Sequence, residues 1–161
     1  MRPLIILASV AFATAAAAQE PVGCDKFKWP LDREKALLAA ARPVASGSEA
    51  QAAAVKIALL PLAEARLPLP PTRNPKPDTF AGYVRVPAPE RAGTYRITLS
   101  QGGWVDAFQN EHEVKSGAFS GAAGCDGLRK SVKFELTTAP LLIEVSGVPM
   151  RDIAIAVTPD Q

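Results

Sequence analysis

The sequence is poor in the side chains that most enzymes use for chemistry. Its 161 residues include one histidine, His112, and two cysteines, and only 6% are aromatic. A zinc site usually takes roughly three or four His, Cys or carboxylate ligands, and a single histidine makes such a site hard to assemble. The sequence also lacks a Gly-x-Ser-x-Gly nucleophile motif and a glycine loop in phosphate-binding context. We therefore expect no catalytic residues, no metal site and no cofactor.

The sequence also lacks a marked excess of positive or negative charge. Lysine and arginine number 18 against 16 aspartate and glutamate residues, so the formal net charge is only +2. Such a balance gives no strong field for steering nucleic acid or an anionic membrane. The sequence predicts no nucleic-acid partner, and it favours no particular oligomeric state.

Long hydrophobic runs are absent except at the start of the sequence. There, an apolar run of about 15 residues follows Arg2, short of the ~20 residues of a membrane-spanning helix. It ends in Ala16-x-Ala18, which fits the small-residue rule for signal-peptide cleavage. Residues 1–18 are thus predicted to be a signal peptide, giving a periplasmic or secreted protein without stable membrane insertion after cleavage. A buried N-terminal helix and a lipoprotein anchored at Cys24 are the alternatives.

The two cysteines, Cys24 and Cys125, are expected to form a disulfide. Export places them in an oxidising compartment, where a pair of cysteines is normally joined. Chain-entropy arguments assign a loop of about 100 residues up to ~4.7 kcal/mol of stabilisation. The alternative, a redox or metal-binding thiol pair, has no Cys-x-x-Cys spacing to support it.

Two regions follow the signal peptide, and their hydrophobic periods differ. Residues 19–53 carry the only helical pattern, and Asp32 is a suitable N-cap for a helix over residues 33–42 that Pro43 ends. We expect this helical segment to pack on the domain formed by residues 54–161.

From residue 54 onward the apolar residues alternate with polar ones. This period of two predicts about eight short strands, and a glycine-rich loop over residues 117–127. The strands are predicted at residues 55–59, 80–86, 94–99, 104–108, 112–115, 132–136, 141–145 and 153–157. Short strands at such spacing, without helices between them, indicate an all-β fold: an antiparallel, jelly-roll-like β-sandwich with one short N-terminal helix.

Prolines are concentrated between residues 61 and 77. Proline removes backbone donors and favours extended polyproline-like structure, so this stretch is not a central strand. An extended connection between strands is the favoured interpretation, and a docking segment for another protein is the alternative.

Two sequence patterns carry a resemblance to known proteins. The segment Ala-Gly-Thr-Tyr-Arg-Ile-Thr-Leu at residues 92–99, followed by Gly-Trp-Val-Asp at 103–106, resembles the repeated strand of pre-peptidase C-terminal-type β-sandwiches. Cys24 before Trp-Pro-Leu, together with Cys-x-Gly-x-Arg-Lys-Ser-Val-x-Phe at 125–134, is similar to small exported proteins of Gram-negative bacteria whose function is unassigned. The resemblance implies an exported sandwich and brings no catalytic residues with it.

The candidate binding residues are Tyr83, Trp104, Asp106 and Asn110. Exposed aromatic rings on a sandwich could stack on a flat ligand, although packing in the core is the simpler role for both rings. The basic cluster at residues 129–133 is interpreted as a solvated strand face. The sequence thus favours an exported, non-catalytic binding or accessory module that contacts an envelope protein or glycan. The alternative is a small exported hydrolase with an unlocated site.

Overall fold

The computed structural model describes residues 20–160, and this part of the chain is mostly β-structure. It contains one α-helix, α1 (Asp32–Ala39), and single-turn 3-10 helices at Cys24–Lys26 and Leu62–Glu64. Its eleven strands are β1 (Arg42–Ala45), β2 (Ala54–Ala58), β3 (Leu60–Pro61), β4 (Phe80–Val86), β5 (Gly93–Leu99), β6 (Trp104–Gln109), β7 (His112–Glu113), β8 (Ser116–Gly121), β9 (Lys130–Leu136), β10 (Leu141–Val148) and β11 (Asp152–Pro159). The predicted all-β class is confirmed, with eleven strands where about eight were expected.

The strands form two sheets that enclose one hydrophobic core. The order is β1-β2-β11-β5-β9-β8 in the six-stranded sheet and β3-β4-β10-β6-β7 in the five-stranded sheet. Neighbouring strands are antiparallel, except that β1 runs parallel to β2. Alternate side chains fill the space between the sheets, among them Ile97, Phe134 and Ile143. The predicted sandwich is therefore confirmed, with one parallel pair at its edge.

The helix is shorter than its sequence pattern predicts. It ends at Ala39, and Arg42–Ala45 forms the parallel edge strand β1. Pro43 accounts for this, because the residue before a proline is restricted to extended conformations. Asp32 is the first helical residue, while Leu31 occupies the N-cap position without a side-chain cap.

The prediction of a glycine-rich loop over residues 117–127 was wrong for the first half of that stretch. Ser116–Gly121 forms β8, which pairs with β9 at the edge of the six-stranded sheet. Glycine weakens a strand but does not forbid one. The later part of the stretch holds Cys125, which forms the predicted disulfide with Cys24.

The N-terminal segment covers the outer face of the six-stranded sheet. Leu31 and Leu38 pack there against Leu128 and Ala156 in a second, smaller apolar cluster. Beside them Glu34, only 3% exposed, accepts a hydrogen bond of 2.6 Å from Thr158 Oγ1. This cover is therefore held by apolar contacts, buried polar contacts and the disulfide.

The proline-rich segment, residues 65–79, covers the outer face of the five-stranded sheet. It links the short strand β3, through the 3-10 turn, to β4. Leu67, Leu69 and Pro71 are half-buried and alternate with the exposed Pro68 and Pro70. This arrangement agrees with an extended connection between strands, because the segment packs on its own sheet.

The predicted signal peptide lies outside the described residues. A disulfide is compatible with an oxidising, exported compartment. Within residues 20–160, no helix has both the length and the apolar character needed to cross a membrane.

Candidate binding site

Two carboxylates face each other beneath the proline-rich segment. Glu144 of β10 and Asp106 of β6 are direct cross-strand partners, and they are 1% and 5% exposed. The pKa of Glu144 is raised to about 7, mainly by burial and to a smaller extent by the charge of Asp106. The hydrogen bond from the Leu69 N–H, 2.9 Å from Oε1, partly opposes this rise. Glu144 Oε2 and Ser146 Oγ are buried without a hydrogen-bond partner among the described residues.

Asp106, in contrast, accepts hydrogen bonds through both of its carboxylate oxygens. Its carboxylate accepts hydrogen bonds from the Thr72 backbone N–H at 3.2 Å, the Thr72 hydroxyl and the Trp104 Nε1–H at 2.8 Å. Thr72 belongs to the proline-rich segment, while Trp104 begins β6 two residues before Asp106. Asp106 therefore fastens the segment to the sheet and also orients the indole ring.

The Trp104 ring makes cation–π contacts with two basic side chains and lies outside the hydrophobic core. The Arg73 guanidinium lies 4.3 Å from its ring centre, and the Lys130 Nζ lies 4.7 Å away. Both distances are within the range of cation–π attraction. Trp104 thus forms the floor of a basic surface, and packing in the core is not its role.

A second aromatic ring extends this basic surface to the edge of the other sheet. Phe119 of β8 is 58% exposed, with the Lys28 Nζ 5.3 Å and the Lys130 Nζ 5.9 Å from its ring centre. Burial lowers the pKa of Lys130, the charges of Arg73 and Arg129 lower it further, and Asp106 partly opposes them. Crowding of positive charge of this kind favours an anion beside Lys130.

Phe119 and Lys130 line an open cleft of about 300 Å³ on one side of the sandwich, which we call the lateral cleft. Its lining residues come from the N-terminal segment, the β5–β6 turn, β8 and the start of β9: Glu20, Pro21, Gly102, Gly103, Phe119, Gly121, Arg129 and Lys130. The Glu20 carboxylate forms an ion pair with Arg129 in this cleft. One carboxylate of the chain itself therefore already lies there.

The position of the lateral cleft follows from the path of the chain. The chain leaves the five-stranded sheet after β7 and enters the six-stranded sheet as β8. β7 has only two residues and pairs with Phe108 and Gln109, and the adjoining Val114 N–H donates to the Ala107 carbonyl. This short pairing leaves the start of β6 uncovered along the edge. Trp104 at the start of β6 and Phe119 on β8 consequently lie on the same side of the sandwich.

The structure does not bring all four predicted binding residues together. Trp104 and Asp106 are in contact, but Tyr83 lies on β4, on the far side of Glu144, with the Arg85 guanidinium 5.3 Å from its ring centre. Asn110 is at the opposite end of β6 in a two-residue turn, where its φ is 52°. There it lines a separate cleft of about 280 Å³ with Pro68, Leu69, Arg85, Phe108, Glu111, Pro140, Leu141 and Leu142.

Five residues of the basic surface and of the buried pair were missed in the sequence: Lys28, Arg73, Phe119, Lys130 and Glu144. Phe119 fell in the stretch interpreted as a loop, and Lys130 in the cluster interpreted as a solvated face. Glu144 interrupts the apolar run of β10, which was a usable signal of a buried carboxylate.

No group of His, Cys, Asp or Glu residues able to hold a metal ion occurs among residues 20–160, and His112 is exposed on β7. Comparisons of the whole chain with protein families, curated proteins and solved structures find no match. The resemblance to pre-peptidase C-terminal-type sandwiches therefore stays a prediction.

Proposed function

We propose that the protein is an exported, non-catalytic binding module that holds an anionic partner of the cell envelope in the lateral cleft. The observation that carries this proposal is the exposed Phe119 ring, which has the Nζ atoms of both Lys28 and Lys130 within 6 Å of its centre. Aromatic residues, phenylalanine among them, are enriched in protein interfaces relative to the rest of the surface.

The charges around the Phe119 and Trp104 rings, beside the cleft, favour an anion. Within the described part of the chain, Lys28, Arg73 and Lys130 form no salt bridge within 4 Å, although all three lie against aromatic rings. The acidic groups nearby are already bound, since Asp106 accepts from Thr72 and Glu20 pairs with Arg129. A partner carboxylate or phosphate would supply the missing negative charge.

The shape of the surface favours binding over catalysis. The lateral cleft is open, whereas enzyme pockets usually enclose several convergent polar groups. The two best placed carboxylates, Glu144 and Asp106, are buried beneath the proline-rich segment and do not line the cleft. Export itself rests on the signal-peptide pattern of residues 1–18, and the disulfide agrees with it.

A small exported hydrolase is the second candidate, and one observation favours it. Glu144, with its pKa raised to about 7, lies beside the hydrogen-bonded Asp106, and unequal carboxylate pairs of this kind perform acid–base chemistry in glycosidases. A substrate could reach the pair only if residues 65–79 moved aside. Turnover of a chromogenic glycoside that Glu144→Gln abolishes would replace the binding proposal with this one.

The test is capture of envelope components on the immobilised mature protein. Phe119→Ser combined with Lys28→Glu should abolish capture of the components that the unaltered protein retains. The matched control is Met150→Ser with Lys76→Glu. Met150 is 54% exposed against 58% for Phe119, and Lys76, like Lys28, is an exposed lysine without a salt bridge among the described residues. Equal capture by both double variants, with unchanged circular dichroism, would contradict binding at the lateral cleft.

A further inference from the structure

Edge strand β8 differs from the other three sheet edges of the described chain. Exposed edges are usually protected by proline, by charge or by shortness. β1 contains Pro43, β3 is two residues long and contains Pro61, and β7 consists of His112–Glu113 alone. β8 has six residues, Ser116–Gly121, without proline or charge.

The backbone of β8 is open in the half that carries Phe119. The register with β9 shifts between Ser116 and Phe119, and this bulge leaves Gly117 and Ala118 without direct Cα partners on β9. All residues from Ser116 to Phe119 are exposed. This half of the edge therefore has backbone donors and acceptors within reach of another chain.

The other end of this edge already holds an extended segment. Just beyond β8, Val22 forms a parallel bridge with Ala123. The Gly23 N–H donates to the Ala123 carbonyl at 2.8 Å, and the Ala123 N–H donates to the Pro21 carbonyl at 2.8 Å. The chain thus shows that an extended segment can be added along this side of the sheet.

The charges beside the open half select the kind of segment. Lys28 and Lys130 both lie within 6 Å of the Phe119 ring centre. A second copy of this chain, paired through the same edge, would bring two sets of these lysines together and be disfavoured by repulsion. An acidic strand with alternating apolar residues would instead place carboxylates near the lysines and an apolar side chain on Phe119.

We propose that β8 accepts an extended acidic polypeptide segment, which adds to the six-stranded sheet as a further strand. The inference rests on the proposed function, because it assigns a chemical class and a binding mode to the partner of the lateral cleft. Backbone hydrogen bonds would give the affinity, while the lysines and Phe119 would give the preference for sequence.

The test uses labelled peptides of about eight residues, a usual strand length, and fluorescence polarisation with the mature protein. An alternating Glu–Val peptide should bind, and added salt should weaken the binding. A Lys–Val peptide should not bind. A Glu–Pro peptide, with equal charge but half its backbone donors removed, should bind at least about tenfold more weakly, the loss expected for one or two backbone hydrogen bonds.

Hydrogen exchange provides the second readout. The Glu–Val peptide should slow amide exchange in Ser116–Gly121, and Phe119→Ser should weaken its binding while Met150→Ser should not. Equal binding of the Glu–Val and Glu–Pro peptides would overturn strand addition and leave an anion-binding cleft. Failure of every acidic peptide to bind, or a dimer formed through β8, would overturn the inference. The proposed function would survive either result, because envelope capture tests it separately.

Discussion

The two outer faces of the sandwich are both covered by the chain itself, but the two covers are fastened differently. The N-terminal cover is joined to the sandwich by Cys24–Cys125 and by Arg96 of β5, whose Nη1 donates to the Pro30 carbonyl at 3.1 Å. The proline-rich cover has no covalent bond to its sheet. It is fastened by hydrogen bonds to Glu144 and Asp106.

This difference has two consequences. One cover is fixed covalently, while the other is held by hydrogen bonds, one of them to Glu144, whose pKa burial raises to about 7. In addition, because the chain covers much of both outer faces, the lateral cleft beside the edge strand β8 is a surface that remains available to a partner.

Loss of the disulfide should have the largest effect on this comparison. Replacing Cys24 and Cys125 by serine should lower the free energy of unfolding by up to about 4.7 kcal/mol, since the cysteines are 101 residues apart. Hydrogen exchange should increase in the N-terminal cover more than in the core strands. Urea unfolding that is unchanged in the variant, or free thiols in the denatured unreduced protein, would contradict stabilisation of the N-terminal cover by the disulfide.

Glu144→Gln tests the second cover through pH. The folded-state pKa of Glu144 is raised from 4.5 to about 7, so the folded protein retains a proton that the unfolded chain loses. Stability should therefore fall as the pH rises from about 4.5 to 7, by up to about 3 kcal/mol. The glutamine variant, which retains an acceptor for the Leu69 N–H, should lose this fall, and it should be more stable than the unaltered protein at pH 8. Parallel curves of stability against pH for the two proteins would contradict the assignment of the pH dependence to Glu144.

Thr72→Ala should loosen the same cover more gently. The change removes the hydroxyl that donates to Asp106 and that accepts from Trp104 Nε1 at 2.9 Å. The expected cost is about 1 kcal/mol, seen as faster exchange of residues 65–79. Thr79→Ala, which removes a hydroxyl donating to the Lys76 carbonyl within the segment itself, is the control and should leave the contact with the sheet intact.

His112→Ala should have the smallest effect. The side chain is exposed on β7 and belongs to neither cover. Stability and envelope capture should stay close to those of the unaltered protein. Turnover of a hydrolase substrate that is lost in this variant, with its folding intact, would support the hydrolase alternative.

The periodicity of the sequence was sufficient for most of the fold but not for the site. Strands such as β5 and β9 alternate clearly, and export made the disulfide a natural expectation. The covers were harder to predict, because their contacts join residues far apart, such as Thr72 with Asp106 and Thr158 with Glu34. β8 was missed because its glycines signal a turn locally, while its pairing with β9 decides its conformation.

The most direct test of the account is site-specific photo-crosslinking in cells that export the protein. A photoreactive phenylalanine analogue at position 119 should crosslink to a discrete envelope partner. The same analogue at position 150, where Met150 is 54% exposed against 58% for Phe119, should not. Crosslinking at position 150 alone, equal crosslinking at both positions, or none at position 119 would contradict a partner bound in the lateral cleft.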